Sequence, residues 1–273
     1  MTMKKSILMA ATVAMALSCT ESKAPKVLVL YYSQTSNTEK VAREISSRLG
    51  ADLETVVAVN PYDGDFQQTI ERSMQEREAG VLPEIQPLKV DIKDYDIIFL
   101  GYPIWFGTYA PPVATLLDKV DFSGKKLVPF CTFGSGGLDS STRDLKEKEP
   151  DAEIRPGYGV RAARIDAVPA EVDRFLKEGG FIEGEYEKYP EFSAVCPVTE
   201  EEAAIFDAAV GDYPMIHAQA ENVSSRSVTG GMEYLFEARD IPRDPEQAPM
   251  AGTIKVYVLA LDGQTPVFTQ VLR

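Results

Sequence analysis

The chain has 273 residues, room for one large or two modest cores, since domains usually run to about 100–200 residues. Its 44% apolar and 26% charged residues are the composition of a folded globular protein and exclude long disordered stretches. A formal net charge of -14 sets most of the surface against phosphate, which excludes nucleic acid, and an anionic membrane surface, as the partner of a basic patch.

The chain opens on the basic Met1–Lys5, then the apolar run Ser6–Ser18, which is too short to span a bilayer, then Cys19 directly after small residues. This layout is similar to a lipoprotein signal, although Ala16 stands where leucine is commoner. Residues 1–19 are therefore expected to direct export, Cys19 to carry the lipid, and residues 20–25 to form a tether. The mature chain would be anchored to the bacterial membrane by lipid alone, facing the periplasm or the cell exterior. Simple cleavage, giving a soluble periplasmic chain, is the alternative.

Lys26–Tyr32 is an apolar run without alternation, as in a strand buried on both faces of a parallel sheet. A helix follows, with Val41, Ala42, Ile45 and Leu49 on one stripe and Gly50 as its stop. Next come a strand within 51–59, the turn Asn60-Pro61-Tyr62 and a polar helix over 66–78. A strand over 95–101, a helix over 112–120 and a strand over 126–132 succeed them, and Ser141 with Asp144 has the spacing of a capping box opening a fourth helix. A fifth strand is expected within 153–164 and a last helix over 169–178, ended by Gly179-Gly180. Strand alternating with helix five times predicts an α/β fold, a doubly wound five-stranded parallel sheet whose ligand sits beyond the carboxyl ends of the strands.

Three loops lie at those ends. The first, Ser33-Gln34-Thr35-Ser36-Asn37-Thr38, runs straight into a helix. A helix start offers unpaired N–H groups and the positive end of the dipole, and these short polar side chains add donors, so a phosphate is expected there. The loop lacks both the Walker lysine and the glycine triplet of a dinucleotide site. The second loop, Pro103-Ile104-Trp105-Phe106-Gly107, holds the only tryptophan, placed to stack on a flat heteroaromatic ring. The third, Thr132-Phe133-Gly134-Ser135-Gly136-Gly137, lets backbone come close to a ligand and offer N–H groups to ring carbonyls.

Together these loops resemble those of the flavodoxin family. The segment from Tyr31 to Thr38 is similar to that family's phosphate loop, with Ser36 where glycine is usual; Tyr95–Trp105 is similar to its isoalloxazine loop, with Phe106 where many relatives have a second tryptophan. The resemblance covers residues 26–180 and implies a flavodoxin-like strand order 2-1-3-4-5. It implies noncovalent FMN, with phosphate on the first loop and the ring between the other two, and electron transfer to a redox partner protein or a small-molecule donor or acceptor. Gly107 is the glycine it assigns beside the flavin N5. The acidic surround would give a strongly reducing couple by repelling negative charge on the reduced flavin. An FMN-dependent NAD(P)H or quinone reductase, and a binding module that has lost the flavin, are the alternatives.

Residues 181–199 read as a linker and 200–273 as a smaller α+β domain, one helix and an antiparallel meander, similar to cystatin-like folds. The inhibitory loop of cystatins is not reproduced around Arg226–Gly230, so docking or self-association is the expected role. Every expected flavin contact lies before Asp139, which makes this unit dispensable for the flavin. A serine hydrolase using Ser135 and His217 would need Gly-x-Ser-x-Gly, and Phe133 occupies the first glycine position. Cys131 and Cys196 are both expected to be packed thiols, with too few cysteines for a zinc cluster.

Overall fold

The computed structural model describes residues 24–211, 213–241 and 252–273; the expected signal, Cys19 and the tether as far as residue 23 lie outside the described residues. In the first unit, β1 (Val27–Tyr31) leads into α1 (Asn37–Leu49), then β2 (Asp52–Thr55), α2 (Phe66–Glu78), β3 (Ile97–Trp105), β4 (Thr108–Tyr109), α3 (Pro111–Lys119), β5 (Lys126–Phe133), α4 (Leu138–Lys148), β6 (Glu153–Ile154), β7 (Tyr158–Arg161) and α5 (Val168–Glu178). The parallel order is β2-β1-β3-β5-β6, with β7 pairing farther along β5, which is the order expected. The expected fifth strand is two pieces, because Pro156 has no N–H to continue the ladder after Arg155 donates to Leu127.

The unbroken apolar runs have a simple cause. Alternate residues of β1 enter opposite cores: Leu28 and Leu30 join Val113, Leu116 and Leu117 of α3, while Val29 and Tyr31 meet Val41, Ala42 and Ile45 of α1 and Val172 and Leu176 of α5. Both faces are covered, so apolar residues dominate and a polar one such as Thr132 of β5 is paired inside. Gly50 closes α1 in a left-handed conformation, as its sequence position predicts. The expected cap at Ser141 is corrected: α4 begins three residues earlier, and Ser141 is fully buried within it, its hydroxyl donating to the Leu138 carbonyl.

In the second unit, α6 (Glu200–Val210) packs on a sheet of β8 (Cys196–Pro197), β9 (Ala218–Val228), β10 (Gly231–Asp240), β11 (Thr253–Leu261) and β12 (Val267–Leu272), in the antiparallel order β12-β11-β10-β9-β8. Thr199 and Glu202 form a capping box on α6. Register shifts at Glu237/Ala238 and Tyr257/Val258 are the bulges that bend such a sheet. Its separate core gathers Phe206, Phe236, Val256 and Phe268. Cys131 is a packed thiol, pushed far up by burial, but Cys196 is exposed in the short edge strand β8, so the expectation of two packed thiols holds only for the first.

Candidate functional site

The direction of winding reverses between β1 and β3, and the loops after β1, β3 and β5 all open at that end of the sheet. The first loop leaves the ladder after Tyr32, whose N–H donates to Gly101. Ser36 then takes a left-handed φ of 63°, which turns the chain into α1. Among the described residues, the backbone N–H groups of Gln34 to Thr38 donate to nothing within the chain, while the Ser33 hydroxyl accepts from Glu39. Thr35 and Ser36 are exposed and no basic residue belongs to the turn, so its positive character comes from peptide groups and the start of α1 alone. Two members of the loop face elsewhere. Gln34 donates to the Tyr62 carbonyl and the Thr69 hydroxyl at 3.0 Å each, and buried Thr38 shares a 2.8 Å hydrogen bond with Thr132. The side chains of Gln34 and Thr38 are thus engaged within the chain, leaving only their backbone N–H groups open, and Thr132, inside β5, ties that strand to the start of α1.

The second loop is a hairpin where a loop is expected. β3 continues through Pro103 and Ile104 to Trp105, and β4 returns beside it with Trp105 opposite Thr108. The turn is Phe106 and Gly107, at φ values of 52° and 83°, the two positive angles that a tight hairpin of this hand requires. Phe106 stands 46% exposed at the tip. The Trp105 ring meets Tyr62 edge-on at 5.1 Å and Tyr32 at 6.2 Å. Beside it lies a cavity of about 190 Å³ lined by Gln34, Thr69, Ile70, Ser73, Ile104, Trp105 and Phe106. Ser73, on α2, is 2% exposed and its hydroxyl is buried without a hydrogen-bond partner. A buried orphan hydroxyl is costly, and this one belongs to a residue of the cavity wall. The volume is below the roughly 300–1,000 Å³ of a pocket that encloses a whole ligand, and fits one part of a flat ring.

The third loop spans this site and the second unit. Phe133, expected in this loop, is instead the last residue of β5 and is 5% exposed within the core, so the loop proper begins at Gly134. The Gly134 carbonyl accepts from Arg161 at 2.8 Å, and the Ser135 carbonyl accepts from the Val271 N–H of β12 at 2.7 Å. A Cβ on Gly136 would stand 2.3 Å from the Val271 carbonyl, and one on Gly137 would stand 2.6 Å from Ile104, so both glycines are dictated by close approach. The Ser140 hydroxyl donates to the Gly107 carbonyl. The second unit thus contacts one of the three loops, through β12 against Ser135 and Gly136. His217 sits in the turn before β9, its Nε2 against the Pro214 carbonyl 3.2 Å away, which suits a structural side chain rather than a base for Ser135.

Residues of α2 and its leading turn, Tyr62, Thr69, Ile70 and Ser73, are the part of the site that sequence reasoning misses. Tyr62 is 6% exposed, its hydroxyl donates to Glu76, and Arg72 lies 3.8 Å over its ring while donating to the Pro61 and Asn60 carbonyls. Burial pushes Tyr32 up to about 12, Arg72 pulling it down and Glu76 pushing it up by less; burial does the same to Tyr109. An unfolded tyrosine ionises near pH 10. Both groups therefore contribute stability that is full below about pH 10 and is lost as pH rises through about 12. Urea midpoints should be flat from pH 8 to 9.5 and fall steadily to pH 11.5. A midpoint that stays flat up to pH 11.5 would contradict this burial.

A family model described as Flavodoxin matches residues 26–170. The chain is 30% identical over 125 residues to an uncharacterized protein of Methanocaldococcus jannaschii, covering 45% of this chain and 65% of that one. It is 29% identical over 119 residues to an FMN-dependent NADPH-azoreductase of Staphylococcus haemolyticus, covering 40% and 58%. The matches thus span about 60% of the length of those two relatives. Among solved structures, a flavoprotein of Lactobacillus acidophilus in complex with FMN superposes with a TM-score of 0.47 at 28% identity, over 56% of this chain and 100% of that one.

Proposed function

The chain belongs to the flavodoxin family, and from that premise we propose that it binds one FMN noncovalently at the carboxyl ends of β1, β3 and β5 and uses it to pass electrons. The observation that carries this reading is the turn of unpaired N–H groups at residues 34–38, opening beside the Trp105 cavity with its orphan Ser73 hydroxyl. When bound, FMN supplies one- and two-electron chemistry that no side chain offers. The chain's own residues do the rest. Backbone N–H groups of Gln34 to Thr38, with Asn37 and Ser36 at hand, would hold a phosphate dianion; Trp105 would offer a ring to stack on, Ser73 a hydroxyl in the cavity wall, and the Phe106–Gly107 turn would limit access of water.

The partner is a redox protein or a small donor and acceptor. A second reading, a reductase fed directly by NAD(P)H, is favoured by the likeness to the azoreductase. The chain from residue 26 onward should purify yellow, or quench the fluorescence of added FMN at one equivalent, and then oxidise NADPH with a quinone or azo dye only if the second reading holds. A colourless chain with no quenching on titration overturns FMN binding. Export and anchoring belong to the same proposal: Cys19 is the acceptor of the lipid, so Cys19→Ala should abolish incorporation of labelled fatty acid in cells. Label retained in the variant would place the anchor elsewhere.

A further inference from the structure

Arg161 is an unusual residue to find where it is. It ends β7 only 9% exposed, and no carboxylate pairs with it among the ion pairs of the described residues. A buried guanidinium is costly unless its donors are satisfied. Here it is held by two carbonyls and two rings from different parts of the chain. Nε donates to Gly134 at 2.8 Å and Nη1 to the Phe268 carbonyl at 2.9 Å; the guanidinium lies 3.4 Å over the Phe268 ring and 5.3 Å from that of Tyr213. Gly134 belongs to the third loop, Phe268 and Tyr213 to the second unit. One step along, Val271 of β12 donates to Ser135, and Gly136 lies against the Val271 carbonyl with no room for a side chain.

The other end of the same loop touches the hairpin. Gly137 packs on Ile104, and Ser140, in the first turn of α4, holds the Gly107 carbonyl. Residues 134–140 therefore form a short strut, fixed at one end to β12 and Arg161 and at the other to the turn that carries Trp105, Phe106 and Gly107. Because packed backbone has few alternative arrangements, moving one end moves the other.

We propose that the second domain is a working part of the flavin site, fixing the third loop and through it the Trp105 hairpin, with Arg161 as the positioning residue that joins the two. This rests on the FMN reading above. It assigns the second domain a role toward its own chain rather than toward an external partner, and it places a buried positive charge behind the loop that faces the flavin.

The test uses the full chain from residue 26 onward. In the unaltered protein, saturating FMN should slow hydrogen exchange at the Val271 amide at least about fivefold, because that N–H exchanges only when β12 separates from Ser135. Arg161→Met should raise the FMN dissociation constant about tenfold and make the flavin potential more negative, whereas Arg161→Lys, which keeps the charge and one donor, should recover the potential but only part of the affinity. Failure of the unaltered chain to bind FMN would remove the functional reading itself. Normal binding with an unchanged Val271 exchange rate overturns the coupling whatever the variants do, including a variant that does not fold. Wild-type affinity and potential in folded Arg161→Met overturn Arg161's part in it.

Discussion

Replacing Asn37 with alanine is expected to weaken FMN by about 1–3 kcal/mol, the range for loss of a hydrogen bond to a charged group, and to leave riboflavin nearly untouched. Asn37 is the first residue of α1, directly after the left-handed Ser36, so whatever its side chain serves lies at the open end of that helix. Riboflavin has no phosphate and nothing to lose there. Trp105→Ala should behave in the opposite way, weakening both ligands by about 1–3 kcal/mol through lost stacking and buried area, and shifting the flavin potential. Parallel fluorescence titrations of each variant with the two ligands read this directly. Equal losses for FMN and riboflavin in Asn37→Ala would make the first loop an ordinary helix start and move the phosphate elsewhere.

The second large effect is expected at Tyr62. Its carbonyl takes the Gln34 amide of the first loop, its ring lies under Arg72 and against Trp105, and its hydroxyl donates to Glu76. One residue thus joins the phosphate turn, α2 and the ring hairpin. Tyr62→Ala removes a buried aromatic and leaves a hole among all three, at about 3–5 kcal/mol of stability, and FMN affinity should fall by more than tenfold. Tyr62→Phe keeps the ring and the carbonyl and costs about 1 kcal/mol, because Arg72 still pairs with Glu76. Urea unfolding with and without FMN separates the two variants. An alanine variant that keeps wild-type FMN affinity would show that the hairpin and the first loop stand without this support.

The frame of the first unit was legible in the sequence because its strands are buried on both faces. Leu28 to Leu30 enter two cores in alternation, and only a parallel sheet covered by helices on each side asks for that. The first loop was legible for a local reason, a run of short polar residues between a strand and a helix. The hairpin was not, since Phe106-Gly107 reads as loop until both residues are seen at positive φ. Ser141 misled because its spacing to Asp144 imitates a cap, while α4 starts at Leu138 after Gly137, a glycine whose cap position lies against Ile104 with no room for a side chain. Ile70 and Ser73 line the cavity from a helix whose exposed face is so polar that its buried side carries little pattern. Arg161 had no local signal at all, since what it holds is a pair of carbonyls distant in sequence.

That distance has a kinetic side. Arg161 and Phe268 are separated by 107 positions, whereas paired strands of the first sheet are closer in sequence, the most distant being β1 and β3 with α1, β2 and α2 between them. Contacts of large sequence separation form late, after the entropy of closing the intervening chain has been met, and units with their own cores tend to fold before they dock. Refolding should therefore proceed in two phases, a fast one that recovers the parallel sheet and the open turn at residues 34–38, and a slower one in which β12 meets Ser135. During the interval the phosphate end of the site exists and the ring end is still forming, so riboflavin capture should lag behind recovery of the first sheet.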